Sequence, residues 1–136
     1  MLEVLIVDDD QIVVFIQKKM INNHEIAQNP ISFSKAADAL SYLVEDQKHP
    51  QQRDFLILLD INMPNMNGWD FLKCLEGHPQ KSRYHVIMVT SSIDVKDKKE
   101  AENYSTVRSF IEKPISASDC EKIKEISEIS HFFKPA

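Results

Sequence analysis

Glycine is almost missing from this 136-residue chain, which has only Gly68 and Gly77. Two glycines cannot build a glycine-rich phosphate loop, so neither a dinucleotide fingerprint nor a P-loop exists, and mononucleotide binding by those routes is excluded. Cysteine is equally scarce: Cys74 and Cys120 lie in helical patterns without CxxC spacing. They read as small apolar residues, not as metal ligands or a disulfide. Positive charge is in short supply, with 16 Lys and Arg against 21 Asp and Glu for a net charge of -5. Phosphate affinity needs concentrated cations, so no nucleic-acid partner is expected. Mixed runs such as KDKKE (96–100) read as solvated helix faces. No apolar run approaches the ~18 residues of a membrane span. Val4 to Val7 lacks the cationic start and cleavage site of a signal peptide. A soluble, cytoplasmic protein without membrane association is expected.

What is present is alternation. Short β-rich apolar runs are separated by segments with helical spacing, which predicts βα units and a parallel sheet. Strands are expected at 2–7, 31–34, 54–60, 85–92 and 107–114, and helices at 10–21, 35–46, 68–77, 92–104 and 116–129. The first helix is expected to turn Ile12, Ile16 and Met20 inward, the second Ala36, Leu40 and Leu43, and the last Cys120, Ile123 and Ile126 or Ser127. Gly77 with Pro79 behind it ends the third helix. The fold class is α/β: a doubly wound, flavodoxin-like, five-stranded parallel sheet of order 2-1-3-4-5 with five helices, a single domain over 1–130 with a short tail at 131–136.

The stretch LILLDINMPNMNGWDF (56–71) carries the functional signal. A buried strand runs into Asp60, and an unpaired carboxylate at such a place is costly. In open parallel sheets the ligand crevice lies beyond the carboxyl ends of the strands. There the sequence places Asp8, Asp9 and Asp10 after strand one, Asp60 after strand three, Thr90 and Ser91 after strand four, and Lys113 with Pro114 after strand five. Asp10 alone reads as the cap of the first helix, but one cap does not need three acids. Two carboxylates about 4 Å apart repel by roughly 4 kcal/mol at an effective dielectric near 20, so the cluster calls for a cation. Asp8 or Asp9 with Asp60 is the hard-oxygen set that Mg²⁺ takes. A lysine and a hydroxyl complete what a phosphoryl group needs, which makes Asp60 a candidate nucleophile for phosphoryl transfer.

VDDD (7–10), LLDINMPNMNG (58–68), VTSS (89–92) and FIEKP (110–114), in this order and spacing, resemble the receiver domain of two-component response regulators, in a stand-alone form like the chemotaxis regulators. The resemblance implies that Asp60 is the phosphoacceptor and that Asp9 and Asp60 hold Mg²⁺, or another divalent cation, through their carboxylates. It adds Asn62 through its backbone carbonyl and Asp8 through water. Thr90 would contact the phosphoryl group, Lys113 would pair with Asp60 and the phosphoryl oxygens, and Thr90 with Phe110 would form the switch. Pro64 and Gly68 would shape the loop below the site. A sensor histidine kinase or a histidine phosphotransfer protein would be the donor. The output would be association with a downstream protein through helix four, strand five and helix five, with a phosphorylation-induced homodimer as a further option.

The chain departs from the pattern in two places. ENYSTVR (102–108) replaces the glycine-alanine pair that many receivers carry before strand five, and Phe110 replaces the commoner Tyr. The tail HFFKPA is too short for an output domain, and Phe132 and Phe133 either fold back onto the sheet edge or form an exposed interaction patch. Two alternatives compete. Asp8-x-Asp10 also satisfies the DxD of haloacid dehalogenase-like phosphatases, with Asp8 as nucleophile and Asp10 as general acid, although the expected cap insertion and late acidic pair are missing. The other is a receiver scaffold that acts without phosphorylation.

Overall fold

The computed structural model describes residues 1–46, 53–63, 66–91 and 94–133. Five strands, β1 (Leu2–Val7), β2 (Ile31–Phe33), β3 (Asp54–Asp60), β4 (Tyr84–Thr90) and β5 (Val107–Glu112), alternate with α1 (Gln11–Asn23), α2 (Ala36–Asp46), α3 (Gly68–Glu76), α4 (Val95–Ala101) and α5 (Ala117–Lys124). All strand pairs are parallel and the order is β2-β1-β3-β4-β5. The expected doubly wound sheet is therefore present.

The central strands are apolar on both sides because helices cover both faces. Leu5, Val7, Ile57, Leu59, Val86 and Met88 face a layer supplied by α2 and α3, with Ala39, Leu43, Phe71, Leu72 and Leu75 buried. The other face of the sheet carries Val4, Ile6, Leu56, Leu58, Ile87 and Val89. It packs on Val14 and Ile21 of α1 and on Cys120 and Ile123 of α5. The register of β4 and β5 slips between Val86 and Ile87, which pair with Val107 and Ser109, so Arg108 is the extra residue of a bulge.

Several expected details differ. The buried stripe of α1 is Val14, Gln17 and Ile21, while Ile12 (73 %), Phe15 (61 %) and Ile16 (38 %) are exposed and Met20 is half-buried. VVFI makes this helix apolar nearly all round, so periodicity alone selected the wrong stripe. In α2 it is Ala39 that is buried beside Ala36 and Leu43, with Leu40 half-buried. Helix α4 begins after its cap Asp94 and stops at Ala101, shorter than expected, and residues 92 and 93 lie outside the described residues. Strand β5 ends at Glu112, which leaves Lys113 and Pro114 in the following loop. Helix α5 ends at Lys124, and a separate 3-10 turn forms at Ser130–Phe132. Phe132 and Phe133 are half-buried against the α1 and α5 core layer, so the exposed-patch option for the tail is not what the fold provides. A 3-10 turn at Lys81–Arg83 before β4 was not foreseen.

Candidate functional site

The carboxyl ends of the strands bring the polar residues to one edge. Asp60 is the last residue of β3, pairs in register with Val89, and is 5 % exposed. Asp8 follows β1 and is 2 % exposed, whereas Asp9 and Asp10 face solvent. Carboxylate oxygens of Asp8, Asp9 and Asp60 all lie within 4.8 Å of one another. Thr90 ends β4 and is buried. Its carbonyl accepts the Lys113 N–H at 2.6 Å, which fixes Lys113 across the edge from Asp60.

The Lys113 ammonium lies 2.8 Å from Asp8 Oδ2 and 3.5 Å from Asp60 Oδ2, so its tighter partner is Asp8. The expected pair with Asp60 is present but is the longer one. Asp60 Oδ1 accepts the Asn62 N–H at 3.2 Å, and Asp8 Oδ1 accepts the Asp10 N–H at 2.9 Å. Burial first, and the neighbouring Asp8 second, push the Asp60 carboxyl above its usual range, against the pull of Lys113 and the Asn62 N–H. Burial alone would lower Lys113, but hydrogen bonding and attraction to Asp8, then Asp60, hold it above its ordinary value. The resting site is thus a carboxylate cluster with one ammonium inside it.

Asp10 does what a cap does: its carboxylate accepts the N–H groups of Ile12 and Val13. Gly68 serves by its lack of a side chain. A Cβ there would lie 2.9 Å from Ile61 Cα and 3.0 Å from the Asp60 carbonyl oxygen, and the Gly68 N–H donates to Ile61 O at 2.9 Å. Close backbone approach, not a left-handed φ, makes glycine necessary directly under Asp60. Pro64 lies outside the described residues. Phe110 is half-buried on β5, opposite Met88, and lines a groove with Lys98, Ala101 and Arg108.

A family model of the response regulator receiver domain matches residues 4–125. The chain belongs to the response regulator receiver domain family. The receiver domain is 32 % identical over 123 residues to the transcriptional regulatory protein DcuR of Escherichia coli strain K12, covering 90 % of this chain and 48 % of that protein. It therefore spans about half the length of that curated relative. Among solved structures, a two component response regulator from Cytophaga hutchinsonii superimposes with a TM-score of 0.82 at 28 % identity, covering 91 % of this chain and 94 % of that one. A two-component response regulator from Legionella pneumophila gives 0.77 at 26 % identity, with 93 % and 97 % covered. Among the described residues of the receiver, no helix is long and apolar enough to cross a membrane.

Sequence reasoning missed two features. The first is the exposed run Ile12, Phe15 and Ile16 of α1, of which Ile12 and Ile16 are expected from the spacing to face the core and Ile16 lines the acidic cleft. The second is Glu76 at the end of α3, which accepts Ser105 N–H at 3.1 Å, the Ser105 hydroxyl at 2.9 Å and Thr106 N–H at 2.9 Å. These bonds fix the glycine-free turn before β5. A partner 29 residues away leaves no local signal in the sequence.

Proposed function

We propose that this receiver is a phosphorelay switch in which Asp60 takes a phosphoryl group from a phosphohistidine in a reaction that needs a divalent cation. The observation that carries the reading is the placement of Asp60: last residue of a buried central strand, within reach of two further carboxylates and 3.5 Å from a lysine ammonium. The donor set consists of hard oxygens, which suits Mg²⁺. Asp9 and Asp60 would hold it by carboxylate, Asn62 by its carbonyl and Asp8 through water. Bound there, the cation would neutralise charge on the transferring phosphoryl group.

Each residue has a separate task. Asp60 supplies the attacking oxygen, Asp8 keeps Lys113 in place until negative charge arrives, and Lys113 then pairs with the phosphoryl oxygens. Thr90 would move toward the phosphoryl group, and Phe110 would repack in the groove beside α4, altering the face built from α4, β5 and α5. A sensor histidine kinase or a histidine phosphotransfer protein would donate, resting on the exposed apolar run of α1. The recipient of the signal would be a protein. The phosphatase reading is disfavoured because Asp10 is occupied as a helix cap and Asp8 is tied to Lys113.

Incubation with acetyl phosphate and Mg²⁺, followed by mass spectrometry of the adduct, tests the assignment. Labelling is expected at Asp60 alone and should vanish on removal of Mg²⁺. Full labelling of Asp60→Asn would refute it. Lys113→Ala should bind Mg²⁺ as well as or better than the parent, because a competing cation is gone, while losing the conformational response to beryllofluoride. A loss of Mg²⁺ affinity would contradict the role given to Lys113.

A further inference from the structure

In the interior of β4 one ionisable side chain interrupts the apolar run: His85, 2 % exposed, on the sheet face shared with Leu56 and Ile87. Both of its ring nitrogens are engaged. Nε2 lies 2.9 Å from Asp54 Oδ2, and Nδ1 lies 3.2 Å from Arg108 Nε. A guanidinium has donors only and keeps its protons, whereas a carboxylate offers acceptors. Nδ1 is therefore the acceptor for Arg108, the ring proton sits on Nε2 facing Asp54, and the imidazole is neutral. Arg108 reaches the ring because of the bulge. Val86 pairs with Val107 and Ile87 with Ser109, so the extra residue is re-aimed toward His85, one position back along β4. The same guanidinium donates to Ser105 O at 2.9 Å and lies 3.6 Å from Glu128. Arg108 also lines the groove of about 200 Å³ that holds Phe110, with Lys98, Ala101 and Glu102 on its wall. One side chain thus joins a buried titratable ring to that groove.

We propose that His85 is a proton-operated latch on Arg108: the neutral ring holds the guanidinium against β4, and the protonated ring releases it into the groove beside Phe110. The charged groups that act on the ring are Asp54 from β3, Arg108 from β5 and Glu128 from the turn after α5. Protonation places an N–H on Nδ1, directly against Arg108 Nε–H, donor to donor and cation to cation. The contact of Nε2–H with Asp54 survives this change and becomes an ion pair, while the contact with Arg108 does not. The freed Nε–H then needs an acceptor, and Glu102 offers a carboxylate on the groove wall. Burial first, with Arg108 adding to it, opposes the proton, and Asp54 and Glu128 favour it. The balance sets the release below the ordinary histidine value. None of these groups belongs to the acidic cluster, so the latch stands apart from the phosphoacceptor reading of Asp60.

NMR of the intact chain, without Mg²⁺ or a phosphodonor, tests the latch in a titration from about pH 8 to about pH 5. At the alkaline end the His85 nitrogens should show the Nε2–H tautomer, with a protected Arg108 Nε–H close to the ring. As His85 takes up its proton, that Arg108 signal should be lost, and the Phe110 ring signals should move with the same midpoint. His85→Gln can still accept from Arg108 and donate to Asp54 but does not titrate. There the Arg108 signal should persist and the Phe110 midpoint should disappear. Arg108→Met is the second variant: His85 should titrate at a higher pH, because a neighbouring cation is gone, and Phe110 should no longer follow it. An Nδ1–H tautomer at the alkaline end would overturn the proposal, as would an Arg108 Nε–H that stays protected once His85 is charged. So would a Phe110 titration unchanged in either variant, or a ring that remains neutral until the whole chain unfolds.

Discussion

Asp60 combines the position proposed for phosphoryl transfer with an energetic penalty. Its folded-state pKa lies above the ordinary carboxylate value, through burial and the nearby Asp8. A raised value means that this group contributes stability below its unfolded pKa and loses it as the pH rises through the folded one. At neutral pH the ionised side chain therefore opposes folding. Asp60→Asn keeps the shape and the acceptor for the Asn62 N–H, and leaves Lys113 paired with Asp8. We expect it to raise stability at pH 7, without divalent cations, by on the order of 1 kcal/mol, or a few degrees in Tm. The gain should shrink as the pH approaches 4. Thermal melts across that range check both parts, and a destabilised variant at pH 7 would contradict the account.

The turn between α4 and β5 shows how an element can be specified from a distance. Burial alone would raise the Glu76 carboxyl, but the N–H of Thr106 and the hydroxyl and N–H of Ser105 hold it below the usual range. Its contribution to stability is thus present above the ordinary glutamate value and lost as the pH falls below it. Glu76→Gln should cost about 1–2 kcal/mol and speed amide hydrogen exchange at Ser105 and Thr106, measured by NMR, while leaving β1 and β3 protected. The same elements show what the sequence could disclose. Strands β1 and β3 were legible to the residue, because a strand buried on both faces is a continuous apolar run bounded by polar residues. The site acids and Lys113 were legible because strand ends in a parallel sheet share an edge. The buried face of α1 was not, since Val13, Val14, Phe15 and Ile16 offer no contrast. Nor was the tighter pairing of Lys113 with Asp8, which depends on a loop conformation and not on spacing.

Across the whole molecule the two edges of the sheet divide the labour. The amino-terminal edge holds a separate polar network. Arg53 bonds Glu3 and Asp46, Tyr42 donates to Glu3, and His85 bridges Asp54 at 2.9 Å and Arg108 at 3.2 Å, with Arg108 reaching Glu128 at 3.6 Å. Burial first lowers the His85 pKa, with Arg108 adding to it and Asp54 opposing. A lowered histidine value gives stability that is fully present above the unfolded value near 6.5 and is lost as the pH falls through the folded one. Between pH 7.5 and 5.5 the parent should therefore lose a few tenths to about 1 kcal/mol more than His85→Gln, by urea unfolding. An identical pH slope in the two proteins would remove His85 from the balance. The His85 contribution to that pH dependence arises on the edge remote from Asp60.

The bulge at Arg108 uncouples the length of the chain from the phase of its side chains. Strict alternation would place Val107 and Phe110 on opposite faces of β5, yet both pack in the α2 and α3 layer while Ile111 packs in the other. One residue is absorbed ahead of Phe110, and the count restarts. Deleting Arg108 should then leave Phe110, Ile111 and Lys113 aligned and sacrifice only its own contacts. Deleting Glu112, beyond the restart, would draw Lys113 back by one position and turn its ammonium away from Asp8 and Asp60. The conformational response to beryllofluoride should survive the first deletion and fail in the second, as expected for Lys113→Ala, which makes this strand a ruler read from the bulge to the lysine.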